Sequence, residues 1–107
     1  TDSSAFDRWD ALNPADFAYD YDYAANAVRQ AEQYLQPETR SFIDRYSMSF
    51  PKEDRARILE CAMTEGNEEL FRSPVMQEKL ACVCRAIREA YGLKGAAKAY
   101  RWEQYLK

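Results

Sequence analysis

The chain has 107 residues, of which 47% are hydrophobic and 14% aromatic, and this suffices for one compact helical domain, residues 1–107. Fifteen basic and eighteen acidic residues leave a net charge of −3, with no basic cluster longer than two residues, so we expect no nucleic-acid partner. No apolar run approaches the roughly 20 residues of a membrane-spanning helix, so we expect no membrane span. The chain begins at Thr1 without Met, and we expect it to belong to a longer protein.

The first predicted elements are an aromatic connection and a helix. Residues 17–24, FAYDYDYA, would place Asp20 and Asp22 on one face of an extended segment, with tyrosines opposite. Calcium takes six to eight oxygen ligands and an EF-hand loop needs a glycine; this segment offers neither, so we expect half-buried tyrosines rather than an ion site. The spacing of apolar residues predicts an amphipathic helix over residues 24–36, halted before Pro37.

A second connection and a second helix follow. Residues 40–50 alternate loosely and are expected to be extended, with room for a short strand. Pro51 favours the first turn of a helix. That helix would begin after a cap at Ser49 or Phe50 and end near Gly66.

Residues 74–91 have the most regular helical pattern in the chain. Ser73 is the expected N-cap, Pro74 the first helical residue and Gly92 the stop. The apolar stripe expected to face the core consists of Met76, Leu80, Val83, Ile87 and Tyr91.

A short closing helix over residues 98–107 is expected to pack Trp102 and Leu106. The predicted fold class is therefore mainly α, with three to four helices joined by aromatic-rich extended connections.

Several kinds of site are excluded by composition. The chain has no histidine, so Ser-His-Asp and Cys-His nucleophilic sites cannot form within it. Its three cysteines are an odd number, and Cys82 and Cys84 would point about 200° apart on a helix. We expect these two and Cys61 to be structural thiols. A complete catalytic zinc site is therefore not encoded, and no cofactor is expected for this chain alone.

The acidic pair Glu53-Asp54 lies in the first turn of the second predicted helix. The simplest interpretation is a favourable interaction with the helix macrodipole, about 0.3–1 kcal/mol for each acid. Helical projection places Glu53 away from the apolar arc, facing water or another part of a longer protein. Arg55 falls inside that arc, and we expect it to have a carboxylate partner or to extend its charge to the surface.

These residues belong to a pattern that resembles the C-terminal part of bacterial zinc-dependent metallopeptidases of the zincin group. The resembling stretches are WDALNPADFAYDYDY, FIDRYSMSFPKEDRARILECAM, FRSPVMQEKLACVCRAIREAYGL and WEQYL. Related zincins take their third zinc ligand from a Glu at a helix start, in a pattern like E-D/F-x-A-E, and often have an oxyanion-stabilising Tyr seven residues earlier. EDRA from Glu53 matches the first four positions, and Tyr46 matches the Tyr spacing. Arg57 departs from the fifth, where an acid commonly orients a metal-bound ligand.

The resemblance implies a zinc metallopeptidase in which Glu53 is the metal ligand and Tyr46 the catalytic oxyanion donor. The other ligands, two histidines, and the general base would come from an upstream HExxH-bearing segment of the same protein. The substrate would be a peptide, and zinc would be the cofactor of the full-length protein, of which this chain would be the C-terminal half. In isolation the chain would be inactive. The compartment stays undetermined, and an extracytoplasmic location of the full-length protein is compatible with the resemblance.

The alternative is a small helical protein-interaction or substrate-binding module without metal chemistry. Glu53 and Asp54 would then be helix-terminus acids, and the aromatic residues would form a core or a contact surface. The metallopeptidase hypothesis requires Tyr46 and Glu53 on one surface near exposed apolar side chains. The module hypothesis requires a buried Tyr46 and a solvated Glu53.

Overall fold

The computed structural model describes residues 6–20 and 31–107. Within these ranges the chain forms three α-helices, α1 (Ala31–Tyr34), α2 (Pro51–Ala62) and α3 (Pro74–Ala90). Four short 3-10 turns accompany them: Trp9–Leu12, Tyr46–Met48, Glu68–Phe71 and Arg101–Glu103. No strand occurs in the described ranges. The prediction of a mainly α fold is confirmed.

Residues 31–34 of the first predicted helix are helical in the structure. α1 closes at Tyr34, before Pro37, because the residue before a proline disfavours helical backbone. The earlier part of this prediction, residues 24–30, lies outside the described residues. Residues 21–23 of the aromatic connection also lie outside the described residues, and they include Asp22, the second acid of the Asp20–Asp22 pair.

α2 begins at Pro51, as predicted, with Phe50 as the N-cap in an extended conformation (φ −145°, ψ 150°). Ser49, the other candidate cap, instead donates its hydroxyl proton to the carbonyl of Tyr46 at 2.7 Å. The helix ends at Ala62, and the chain reverses near Gly66, whose φ of +84° favours a residue without Cβ.

α3 follows the predicted capping. The Ser73 hydroxyl accepts the Met76 backbone N–H at 3.2 Å, and Gly92 adopts a left-handed φ of +67° just beyond the C-terminus. The predicted stripe holds for Met76, Leu80, Val83 and Ile87, the last half-buried. The prediction that Tyr91 faces the core was wrong, since its side chain is 75% exposed. Tyr91 is the C-cap of α3 and has already left helical geometry (φ −108°, ψ 12°).

The expected closing helix over residues 98–107 is reduced to the 3-10 turn Arg101–Glu103. A helix of this length is marginal without packing, and side chains take up the backbone groups that a helix would use. Arg88 Nη2 donates at 3.0 Å to the carbonyl of Lys98, which in a helix would accept the Trp102 N–H. The buried side chain of this segment is Tyr105, at 8% exposure, whereas Trp102 and Leu106 are only half-buried against the core.

Two hydrophobic clusters form the core. The larger lies between α2 and α3 and includes Ile58, Ala62, Phe71, Met76, Leu80, Val83 and Tyr105. The smaller is aromatic, with Tyr34, Phe42 and Met48 buried and Phe17 packed on them; the ring centroids of Phe17 and Phe42 are 4.5 Å apart. Tyr19 contacts both clusters, so this residue of the aromatic connection packs against the core, as expected.

Candidate functional site

The acidic pair at the start of α2 is divided between two environments. Consecutive helical residues point about 100° apart, and Asp54 lies on the buried side of α2, one turn before Ile58. Asp54 is 0% exposed. Glu53 is half-buried, and its carboxylate has no hydrogen bond or ion pair within the described residues. Glu53 is therefore the acid that an external ligand could reach, as helical projection indicates.

Tyr46 opens a 3-10 turn that packs against α2. Its side chain is 43% exposed, and its carbonyl accepts the Ser49 backbone N–H at 3.1 Å. The pKa of Arg57 is raised, chiefly by hydrogen bonds to Asp44 and to a smaller degree by Tyr46 nearby. Tyr46 therefore lies near Arg57, which follows Glu53 by one helical turn.

Asp44 holds the Tyr46 turn against α2. One carboxylate oxygen accepts the backbone N–H and the hydroxyl of Ser47, both at 3.0 Å. The other accepts Arg57 Nε at 3.0 Å and Nη2 at 2.7 Å, and Arg57 also pairs with Glu60. The fifth residue of the zincin-like pattern is therefore a tether between the turn and the helix. An acid at this position could not bind Asp44 in this way.

Arg55, which was expected to have a carboxylate partner or to extend its charge to the surface, is half-buried and packs against two aromatic rings. Its guanidinium lies 4.2 Å from the centre of the Phe6 ring and 5.6 Å from that of Trp9. A cation over aromatic faces gains electrostatic attraction while its stem covers apolar surface.

Asp54 is the centre of a buried polar network that sequence analysis did not predict. Its Oδ2 accepts protons from Lys79 Nζ and from the Tyr19 hydroxyl, both at 2.7 Å, and both members of the ion pair are 0% exposed. Lys79 Nζ also donates to the carbonyl of Ser41 at 2.6 Å and lies 3.9 Å from the centre of the Phe42 ring. The network joins α2 and α3 to Tyr19 in the segment before α1 and to Ser41 in the segment between α1 and α2.

Groups that can only donate or only accept determine the direction of these hydrogen bonds. Trp9 Nε1 donates to the Tyr19 oxygen at 2.8 Å, and the ionised Asp54 carboxylate only accepts, so Tyr19 gives its single proton to Asp54. The remaining lone pair of Tyr19 accepts from Asn13 Nδ2 at 3.0 Å. The orientation of the Asn13 amide follows, and its buried Oδ1 has no donor within the described residues.

Burial dominates the protonation behaviour of the pair. It raises the pKa of Asp54 and lowers the pKa of Lys79, and the attraction between the two groups opposes both shifts. The pKa of Tyr19 is raised by burial and then by the charge of Asp54. Asp54 Oδ1 has no donor among the described side chains and backbone. Asp54 therefore depends on Lys79, because a buried charge without its partner is costly.

A sequence signal for this pair exists, although it was overlooked. Lys79 lies three residues after Met76 and four before Val83, inside the apolar stripe of α3. Asp54 lies one turn before Ile58, inside the apolar side of α2. A cation and an acid that each interrupt the apolar side of a helix indicate a buried ion pair.

A zinc site is not formed by the described residues alone. No three Cys, Asp or Glu side chains converge in residues 6–20 and 31–107 so as to hold a metal ion. The thiols of Cys61, Cys82 and Cys84 form no disulfide, and burial raises the pKa of each. Glu53 offers a single carboxylate, so a zinc site that uses it needs ligands from outside these residues.

Comparison of the chain with protein-family models, with curated proteins and with solved structures finds no match. Among the described helices, none combines the length and the apolar character needed to cross a bilayer.

Proposed function

We propose that this chain is the C-terminal part of a zinc metallopeptidase, in which Glu53 is the third zinc ligand and Tyr46 an oxyanion donor. The observation that carries the proposal is the division of the acidic pair. Asp54 ties the start of α2 to the core through Lys79 at 2.7 Å, while the adjacent Glu53 keeps a carboxylate without a partner in the described residues. A metal ligand needs both a rigid backbone and an available side chain.

Two features of Tyr46 support its proposed role as oxyanion donor. Its side chain is 43% exposed, and Asp44 holds its turn against α2 through Ser47 and Arg57. The tether fixes the turn of Tyr46 against α2 near Arg57, one helical turn after Glu53. Loss of such a donor typically costs about 3–4 kcal/mol of transition-state stabilisation.

The upstream HExxH-bearing segment would supply two histidine ligands and the general base, and the bound zinc would polarise the scissile carbonyl of a peptide substrate. Phe50, 51% exposed, and Tyr46 present apolar surface at the start of α2. Exposed apolar surface next to Glu53 is what the docking of such a segment requires.

Zinc binding measured by calorimetry tests the ligand. This chain alone is expected to bind no zinc tightly, and the protein expressed from the complete gene is expected to bind it. Glu53→Ala in the longer protein should abolish tight binding. The matched control Glu65→Ala removes an exposed acid elsewhere and should leave binding unchanged. Tight zinc binding by the longer Glu53→Ala variant would contradict the assignment.

Peptide hydrolysis by the zinc-loaded longer protein tests Tyr46. Tyr46→Phe should lower kcat by about 100-fold or more while zinc affinity stays unchanged. An unchanged kcat would remove Tyr46 from the mechanism without affecting the assignment of Glu53.

The alternative, a helical binding module without metal chemistry, is favoured by one observation: Glu53 in the first turn of α2 is also where the macrodipole stabilises an acid. Absence of zinc binding by both proteins would establish this alternative.

A further inference from the structure

A groove of about 590 Å³ lies where the N-terminal 3-10 turn, the end of α1 and the start of α3 meet. Its volume is within the roughly 300–1,000 Å³ of small-molecule sites. Its apolar wall is formed by Leu12, Pro14, Tyr34, Pro74 and Val75. Neither Glu53 nor Tyr46 is among the described lining residues, so the groove is separate from the surface proposed to carry zinc.

The charges at this groove have one sign. Asp16 and Glu38 are exposed carboxylates among its lining residues, and no Lys or Arg occurs among the described ones. The Tyr34 hydroxyl donates to Asp16 Oδ1 at 2.8 Å, which holds that carboxylate at the groove. The pKa of Tyr34 is raised, first by burial and then by this bond, so Tyr34 stays a neutral donor.

Asn13 is held in a fixed orientation at the same wall. It lines the groove, and its Nδ2 is committed to Tyr19 at 3.0 Å. The amide oxygen Oδ1 is left without a donor in the described part of the chain. Because Oδ1 is buried inside the protein, Asn13 contributes to the shape of the wall, and the two carboxylates supply the negative charge at the groove.

We infer that the groove binds a small organic cation, an ammonium group on a ring-sized apolar body. The apolar body would cover the Leu12, Pro14 and Val75 wall, and the ammonium would donate to Asp16 and Glu38 in charge-assisted hydrogen bonds. The charges of the groove select against anions and give no advantage to neutral analogues. The inference is independent of the proposed peptidase function.

Binding is tested with the isotope-labelled chain by NMR titration. The probe is phenethylammonium, compared with 2-phenylethanol and 3-phenylpropionate, which keep the ring but replace the cation by a neutral or an anionic group. The ammonium compound should shift the amides of Leu12, Tyr34 and Val75 saturably, with a Kd of about 1 mM. Added salt should weaken this binding.

The double variant Asp16→Asn/Glu38→Gln should lower the affinity for phenethylammonium about fivefold or more. Asparagine retains an acceptor for the Tyr34 hydroxyl, so the fold is expected to persist. The control Glu65→Gln/Glu89→Gln changes net charge equally at exposed acids outside the groove and should leave the Kd unchanged. Equal binding of the alcohol and the amine, shifts elsewhere on the chain, or an equal loss in the control would overturn the inference.

Discussion

Lys79 is the residue at which one substitution most directly tests the buried network. Lys79→Met replaces an ammonium that is 0% exposed with an unbranched apolar side chain of similar length, so steric disturbance is small. The change leaves the Asp54 carboxylate without its cation. Tyr19 remains as its one hydrogen-bond donor in the described residues.

The magnitude follows from the choice that Asp54 then has. Keeping its carboxyl protonated at pH 7 costs about 1.4 kcal/mol for each pH unit above the ordinary value of 3.8, or about 4 kcal/mol in total. Keeping it ionised without its partner typically costs about 3–5 kcal/mol. We therefore expect the free energy of unfolding at pH 7 to fall by about 3–5 kcal/mol.

The deficit should depend on pH with a definite sign. Burial raises the pKa of Asp54 in the native protein, so its protonated form contributes stability that is complete below pH 3.8 and is lost as pH rises through the folded pKa. Lys79 opposes this rise in pKa, so Lys79→Met raises the folded pKa of Asp54 further. The decrease in stability with rising pH then continues to higher pH in the variant. The variant should therefore approach the native protein below pH 3.8 and fall furthest behind at pH 7.

Urea unfolding followed by tryptophan fluorescence from acidic to neutral pH measures the deficit. Trp9 is a suitable reporter because Lys79 Nζ lies 5.4 Å from the centre of its ring. Asp54→Asn/Lys79→Met removes both charges and should recover most of the lost stability. A single variant within about 1 kcal/mol of the native protein at pH 7, or a deficit independent of pH, would refute the reasoning.

Three further predictions concern α3 and the thiols. Ser73→Ala should lower the free energy of unfolding by about 1 kcal/mol through loss of the N-cap, measured by urea unfolding, with Ser73→Asn retaining most of it. Arg88→Lys should speed hydrogen exchange in residues 93–103, since Arg88 binds both Glu103 oxygens and the carbonyls of that segment; unchanged exchange there would contradict the role. The Arg88 hydrogen bonds also lower the pKa of Glu103. The contribution of Glu103 to the free energy of unfolding is therefore present above pH 4.5 and is lost as pH falls through the folded pKa. Burial raises the pKa of Cys84 to about 12, so iodoacetamide mapping by mass spectrometry at pH 8 should modify Cys61 well before Cys84; equal rates would contradict the burial.

The sequence predicted well the elements that local chemistry specifies. α3 begins after Ser73 and ends before Gly92, because a hydroxyl cap, a first-turn proline and a left-handed glycine act through neighbouring backbone alone. α2 likewise begins at Pro51. The helical projection of Glu53 also needed only the 100° step between residues.

The closing segment shows where local pattern was insufficient. Residues 98–107 have a helical pattern, yet a tertiary partner on α3 takes their backbone and side-chain groups: Arg88 binds the Lys98 carbonyl and the Glu103 carboxylate. A short helix gains too little from its own hydrogen bonds to compete with such partners.

The sequence by itself determined the mainly α fold class, the start of α2 and both ends of α3, and the absence of histidine ligands, since each depends on composition or on residues a few positions apart. Only the tertiary structure decided that Asp54 belongs to Lys79, 25 residues away, and that Arg57 tethers Asp44. Periodicity gives the direction of a side chain from one helix, whereas an ion pair depends on how two elements approach each other. The partner of a buried charge is therefore a property of the packing.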